Sequence, residues 1–431
     1  MDFLRDEVSI DLRRVLFGIA DSLDAVGIND AYHGHRVGYI AYRCAKRMGW
    51  DEEQAQLAFY LGLIHDCGVT QPEEMTPLLS ELLPRDTHSH CRKGYELLSS
   101  CHPLSGFAVP VLHHHTWWQD LSHLDVLTEV EKQLAALAFI SDRLDYLYSI
   151  ADPDHFGNLG VDAKHTIIRE LGDNSGTLFE PNMVQHLCEL VDNDDFWFSM
   201  ESHYIEDMAL HFEPVPFFSA QMGLEETIHI AEFLAQLVDA KSSFTFQHSL
   251  RVAELTEFIG KQLGYSKRIQ RMLYLAGLVH DIGKLRTPNN VLHKEGRLSE
   301  AEYTCIRRHA TDTRYALRSM FTSQRVVEWA SNHHERLDGS GYPLGKTASE
   351  LDMPSRIVAM TDVFQALTQS RPYRDGMSLE QAMTIIQQQV VNHQLDSRVF
   401  FCLKAHGQKC YEISTGRDAS HTSQSEIKKG A

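Results

Sequence analysis

Apolar residues along this chain recur at helical spacing. In the stretch RVAELTEFIGKQLG, Val252, Leu255, Phe258, Ile259 and Leu263 follow one another at steps that gather them on one helix face. RMLYLAGLVH is apolar nearly all round, which predicts a central buried helix. LSEAEYTCIRRHA opens on Ser299, with Glu302 three residues later, the pattern of a capping box. No sustained period-two alternation appears, so the expected fold class is all-α.

The pattern also repeats. HGHRVGYIAYRCAKRMGW followed by LAFYLGLIHDCGV matches HSLRVAELTEFIGKQLGY followed by LYLAGLVHDIGK. His33 and His248 lie 215 positions apart, as do His65 and His280, and Asp66 and Asp281. His90 and His309, His114 and His333, and His115 and His334 are each separated by 219, and Asp142 and Asp362 by 220. An offset drifting by five residues in one direction is what small loop insertions produce in a duplicated domain. The chain therefore reads as a first copy at about 8–200, a connector at 201–222, a second copy at 223–410 and a disordered polar tail at 411–431. The connector, HFEPVPFFSAQMG at its heart, is too rich in proline and aromatics to be a floppy linker.

Composition narrows the function. The chain has 431 residues, 40 Lys plus Arg against 59 Asp plus Glu, and a formal charge of −19. An acidic surface disfavours DNA, long RNA and anionic membranes as partners. No apolar run approaches a membrane span, and MDFLRDEVSI holds no signal-peptide core, so a cytoplasmic location is expected. The eight cysteines include no C-x-x-C pair, and reduced thiols in helix packing are expected. Histidine is the anomaly, with 25 residues.

In the second copy, His248, His280, Asp281, His309, His333, His334 and Asp362 form the candidate metal set. Imidazole and carboxylate without thiolate suit a catalytic centre better than a structural zinc site. Asp281 follows a long apolar run, and burying it beside His280 is costly unless a divalent cation offsets the charge. Asp281 is also able to bridge two ions.

HDIGK at 280–284, then HHERLDGSGYP at 333–343 and SRPYR at 370–374, resembles the signature of the HD-GYP family, a branch of the HD-domain phosphohydrolases. The resemblance covers about 223–405 and makes the protein a pair of tandem helical HD-type domains. It implies hydrolysis of a cyclic dinucleotide, cyclic di-GMP or 3'3'-cyclic GMP-AMP, to a linear dinucleotide and onward to mononucleotides. It implies two divalent ions, iron or manganese: His248, His280, Asp281 and Asp362 on one, and His309, His333 and His334 on the other with Asp281 shared. Some members carry a third-metal glutamate where this chain has Phe244, so a two-metal site is expected. Asp281 and Lys284 would be catalytic. Lys284 would donate a proton to the leaving oxygen or stabilise it. Arg371 and Arg374 would bind substrate phosphate, since guanidinium forks match phosphate oxygens. Gly341, Tyr342 and Pro343 would contact the substrate base or a diguanylate cyclase partner, with plain packing of Tyr342 as the competing reading and Asp338 orienting the loop. A homodimer is a further expectation. A di-iron oxygenase on the same scaffold, or a sensor that binds without cutting, are the alternatives. Retention of Lys284 and of every ligand speaks against a sensor. The choice of dinucleotide is not legible, because it depends on pocket contacts set by folded loops.

The first copy keeps His33, His65, Asp66, His90, His114, His115 and Asp142 as a second candidate metal set. Its accessories are gone: Val69 stands at the lysine position, Ser122-His123-Leu124 at GYP, and Ala151-Asp152-Pro153-Asp154 at the basic loop. A regulatory or assembly domain is favoured over a second hydrolase.

Overall fold

A computed structural model of the chain describes residues 8–24, 32–69, 74, 78, 81–83, 87–153, 157–219, 222–241, 247–294, 296–370 and 375–416. The described residues are helical and contain no strand beyond isolated bridges. They divide into two compact units: Asp11–Met222, and Gly223–Ala431 with Met1–Ile10.

In the C-terminal unit the helix Lys267–Val279 is the buried centre, with Leu273, Leu275 and Ala276 fully enclosed. Ser266 caps it by accepting from the Ile269 N–H. His248–Gln262 packs along it, and Met353–Thr368 crosses His248–Gln262. Ser299 and Glu302 form the expected capping box on Glu300–Arg307. The helices His309–Met320 and Gln324–Ser331 complete the surround of the candidate site.

The N-terminal unit repeats the order. His33–Arg47 and Glu52–Ile64 form the tight pair, followed by His88–Ser100, Ala108–His113 and the long Glu129–Ile150. Thr128 and Glu131 close a capping box at the start of that last helix.

Three stretches differ from the expected layout. Residues 201–219 and 222 pack into the N-terminal unit, because the Phe212 ring stacks on Tyr42 at 4.5 Å and Phe218 lies 4.2 Å from Tyr60. Residues 8–10 join the C-terminal unit, where Ile10 bridges Phe321 and the Ser9 carbonyl accepts from Thr322 N–H at 3.1 Å. Tyr411–Thr415 continue a helix that starts at Gly407, with Cys410 and Ser414 buried, so the expected tail begins later than residue 411. Residues 417–431 lie outside the described residues. All eight cysteines are free.

Candidate metal centres

The backbone first sets where the ligands stand. The helix Lys267–Val279 stops at His280, and Asp281 turns the chain into a short 3-10 helix, Ile282–Arg286. Gly283 lies against the start of the next ligand helix: a Cβ there would sit 2.1 Å from the His309 carbonyl oxygen. Thr313 ties the two segments, accepting from Gly283 N–H at 3.0 Å and donating to the His280 carbonyl at 3.1 Å. Only glycine allows this approach, and it brings His309 against Asp281. Gly68 does the same in the N-terminal unit, 2.0 Å from the His90 carbonyl oxygen by the same measure.

Four histidines of the C-terminal unit surround the Asp281 carboxylate. Oδ2 faces His248 Nε2 at 3.5 Å and His280 Nε2 at 3.3 Å. Oδ1 faces His309 Nε2 at 3.5 Å and His333 Nε2 at 3.7 Å. Asp362 Oδ1 lies 3.4 Å from His248 and 3.7 Å from His280. His309, His333 and His334 form a group with donor atoms within 4.8 Å of one another, and so do His248, His280 and Asp281. All seven predicted residues thus converge, with Asp281 between the two groups.

The rings are also fixed in tautomer. His280 Nδ1–H donates to the Gly277 carbonyl at 2.7 Å, His309 to Ile306 at 2.5 Å and His333 to Ala330 at 2.6 Å. His248 Nδ1–H donates to Gln365 Oε1. Each carbonyl acceptor binds the Nδ1 proton, so each Nε2 presents a lone pair inward. His248 and His280 Nε2 are 3.3 Å apart, and His309 and His333 Nε2 are 3.2 Å apart. Lone pairs at that separation repel unless a cation or a proton stands between them. Asp281 Oδ1 is buried without a hydrogen-bond partner. This donor set fits divalent ions.

The electrostatics agree. Burial opposes charge on His248, but hydrogen bonds to Asp281 and Asp362 outweigh it and raise the ring to about 10. Burial and the His280 ring push His333 down to about 3, and burial lowers His309 and His334. Asp281 is held well below the carboxylate range against its burial, chiefly by Lys284 and His280. Without metal, the cage holds one proton on the carboxylate side and neutral rings on the other.

Lys284 Nζ reaches Asp281 Oδ2 at 2.5 Å. Tyr342, expected either to contact a base or partner or to pack, is only partly exposed and its ring is occupied. It lies 4.6 Å from the His334 ring, and the Arg307 guanidinium sits 5.1 Å from its centroid. The packing reading suits this geometry better than open base stacking. Gly341 lets the loop press on Glu335 and Arg336, where a Cβ would meet Arg336 N at 2.3 Å. Pro343 follows Tyr342 in the same loop through a cis peptide. Asp338 Oδ1 accepts from Ser340 N–H at 2.9 Å, as a loop-orienting residue would. Arg371, Arg374 and Phe244 lie outside the described residues.

The N-terminal set converges in the same way. His65 and His33 approach Asp66 Oδ2 at 3.4 and 3.9 Å, and His90 and His114 approach Asp66 Oδ1 at 3.5 and 3.6 Å. Asp142 lies 3.5 Å from His33 and 4.0 Å from His115. Its surroundings differ. Asp142 Oδ2 is gripped by the fully buried Arg143 at 2.6 Å, which also donates to the carbonyls of Leu78 and Glu81. Val363 stands at that position in the other copy.

Sequence reasoning missed four residues that hold these cages: Gln365, Asp145, Arg143 and Glu335. Gln365 and Asp145 each lie three residues after a predicted aspartate, one helical turn along, and extending the repeat by that turn would have found them. Glu335 is buried and accepts from Leu344 N–H at 2.8 Å and Lys346 N–H at 2.9 Å, which pins the loop holding Tyr342.

Residues 31–148 and 232–399 each match a family model described as HD domain. The chain is 50% identical over 408 residues to the 3'3'-cGAMP-specific phosphodiesterase 1 of Vibrio cholerae serotype O1, covering 95% of this chain and 94% of that one. It is 37% identical over 153 residues to a cyclic di-GMP phosphodiesterase of Pseudomonas aeruginosa, covering 35% of this chain and 37% of that one. A crystal structure of a cyclic GMP-AMP specific phosphodiesterase of V. cholerae shares the fold, with a TM-score of 0.61 and 21% identity over 93% of this chain and 98% of that one.

Proposed function

Because the chain belongs to the HD-GYP branch of the HD-domain family, we propose that its C-terminal unit opens a cyclic dinucleotide, with 3'3'-cyclic GMP-AMP as the first substrate to test. Support for that substrate comes from the relative that matches nearly the whole chain and carries it in its name. The observation that carries the chemistry is the Asp281 carboxylate, whose two oxygens face two separate histidine groups.

His248, His280, Asp281 and Asp362 would hold one divalent ion, and His309, His333 and His334 the second, with Asp281 shared. Nitrogen and oxygen donors without sulfur suit several divalent ions, and the family resemblance makes iron or manganese the first to test. Paired ions, when bound, lower the pKa of water towards neutrality and offset charge on a phosphoryl group. The chain's own residues do the rest. Backbone carbonyls and Gln365 keep each Nδ1 protonated, so each Nε2 stays a donor to the metal. Lys284 holds Asp281 ionised and stands one side chain from the cage, where its ammonium would donate to the departing 3′-oxygen. Arg371 and Arg374 would supply the positive charge that an acidic protein needs to hold an anionic substrate.

The N-terminal unit keeps a metal-capable cage and lacks the lysine and the basic loop, so its role would be regulatory or architectural. The test is metal analysis of the purified protein, then chromatography of products from three cyclic dinucleotides. Asp281→Ala is expected to abolish cleavage and empty one ion position. Asp66→Ala is expected to leave substantial cleavage, and complete loss in a folded Asp66→Ala protein would reverse this division of labour.

A further inference from the structure

The second histidine group of the C-terminal cage is least enclosed at His334: His309 and His333 are buried, and His334 is half-buried. On that side the Tyr342 ring lies 4.6 Å from the His334 ring. The Arg307 guanidinium stands over Tyr342 in turn, 5.1 Å from its centroid. We propose that Arg307 is a substrate-binding residue: propped on Tyr342 at the edge of the cage, its guanidinium takes the phosphate of the cyclic dinucleotide that is not being cut.

Three observations carry the assignment, which rests on the phosphodiesterase reading above. First, Arg307 is exposed, and among the described residues its guanidinium has no carboxylate and no hydrogen-bond acceptor. The neighbouring cations are engaged. Arg308 is held by Asp312 at 3.3 Å and Lys284 by Asp281 at 2.5 Å. Arg336 donates to the carbonyls of Glu335 at 2.8 Å and His333 at 3.2 Å. In a chain of formal charge −19, a guanidinium beside the cage with its donors unspent is open to an anion.

Second, the arm is placed in advance. A free surface arginine loses rotamer freedom when it grips a ligand, and the contact with an aromatic face reduces that loss. Tyr342 is itself anchored, because Glu335 accepts from Leu344 N–H and Lys346 N–H in the same loop. Arg307 also lies two residues before His309, so one backbone segment sets both the second ion position and this arm. A cyclic dinucleotide carries two phosphodiesters. The ions serve the one being cut, and the other needs a separate positive partner.

Third, the duplicated copy shows that the cage does not need this pair. At the offset of 219, the positions of Arg307 and Tyr342 are His88 and His123 in the N-terminal copy. The metal-capable cluster persists there without them. Arginine and tyrosine are thus missing together, from the copy that also lacks the lysine and the basic loop. The pair goes with the residues that handle substrate and not with those that build the cage.

The test uses the full-length, metal-loaded protein and two substrates. One is whichever of 3'3'-cyclic GMP-AMP, cyclic di-GMP and cyclic di-AMP the wild type cleaves best. The other is bis(p-nitrophenyl) phosphate, whose single phosphodiester leaves Arg307 nothing to hold. Arg307→Met should lower the ratio of kcat/KM for the cyclic dinucleotide to that for the simple ester by ~10-fold or more, the scale of one charge-assisted hydrogen bond. The fall should come mainly through KM, with metal content as in the wild type. Arg307→Lys, which keeps the charge without the fork, should recover part of the loss. If Arg307→Met loses metal, Arg307→Gln carries the same comparison with an uncharged polar arm. An unchanged ratio, whether both substrates fall equally or neither falls, overturns the role of Arg307 and leaves the phosphodiesterase reading intact. A wild-type protein that cleaves none of the three cyclic dinucleotides overturns that reading itself, and this assignment with it.

Discussion

Asp145 accepts the Nδ1 proton of His33 at 2.7 Å, at the position where the other copy offers an uncharged amide to His248. Burial opposes ionisation of Asp145, but Arg36 and His33 hold its carboxyl well below the usual range. A carboxylate behind a ligating imidazole makes the ring a stronger donor than an amide does. Asp145→Gln should therefore weaken metal binding by the N-terminal cage ~10–100-fold. Equilibrium dialysis against a competing chelator would detect this as loss of one class of bound ion. Retention of that class at wild-type affinity would count against the carboxylate's role.

Proton release gives an independent measure. His248 is raised to about 10 and His33 to about 9, each against its burial and through carboxylate partners. Both rings are protonated in the metal-free protein at neutral pH. The stability this adds is fully present below the unfolded value near ~6.5 and lost as pH climbs through the folded values. An ion must displace these protons, so affinity should rise with pH, and loading the C-terminal cage at pH ~7.5 should release about one proton; the N-terminal cage, where His114 is raised as well as His33, should release more. Calorimetry in two buffers of different ionisation enthalpy reads that number, and buffer-independent heats would exclude the protonated apo-cage.

Backbone proximity sets a third expectation. Gly283→Ala forces a methyl group to within 2.1 Å of the His309 carbonyl oxygen, a backbone atom that cannot swing away. Overpacking of this kind costs about 1–3 kcal/mol or more. Gly172→Ala, with nothing within 4 Å of the added carbon, is the control and should stay within about 0.5 kcal/mol. Thermal melts of the two variants compare them, and equal melting temperatures would refute the clasp.

The loop carrying Tyr342 hangs on one buried carboxylate. Glu335→Ala leaves the Leu344 and Lys346 N–H groups without their acceptor, at a cost of about 1–3 kcal/mol. Hydrogen exchange at these two amides should speed up by ~5-fold or more, while exchange in the helix Lys267–Val279 stays slow. Unchanged protection at Leu344 would show that other contacts hold the loop.

Much of this architecture was legible before any coordinates. The seven ligand candidates of each copy were readable because histidine and aspartate recur at a nearly constant offset, and the helices because their apolar steps are regular. What escaped depends on tertiary contact. Gln365 meets His248 across 117 positions, and a glutamine carries no chemical signal of its own. Phe212 and Phe218 looked like connector residues because their partners, Tyr42 and Tyr60, lie far upstream. For Tyr342 the sequence leaves contact and packing open, and only the fold lays its ring between His334 and Arg307.

The glycine beneath each second-group histidine has a corollary for how such a protein changes over time. The lysine missing from the N-terminal copy is one side chain, and Val69→Lys would restore it by a single substitution. A methyl group at Gly68 would instead drive two segments apart, and no single later substitution elsewhere would draw them back. Drift can therefore silence such a copy and reawaken it many times over, provided that one position never acquires a carbon.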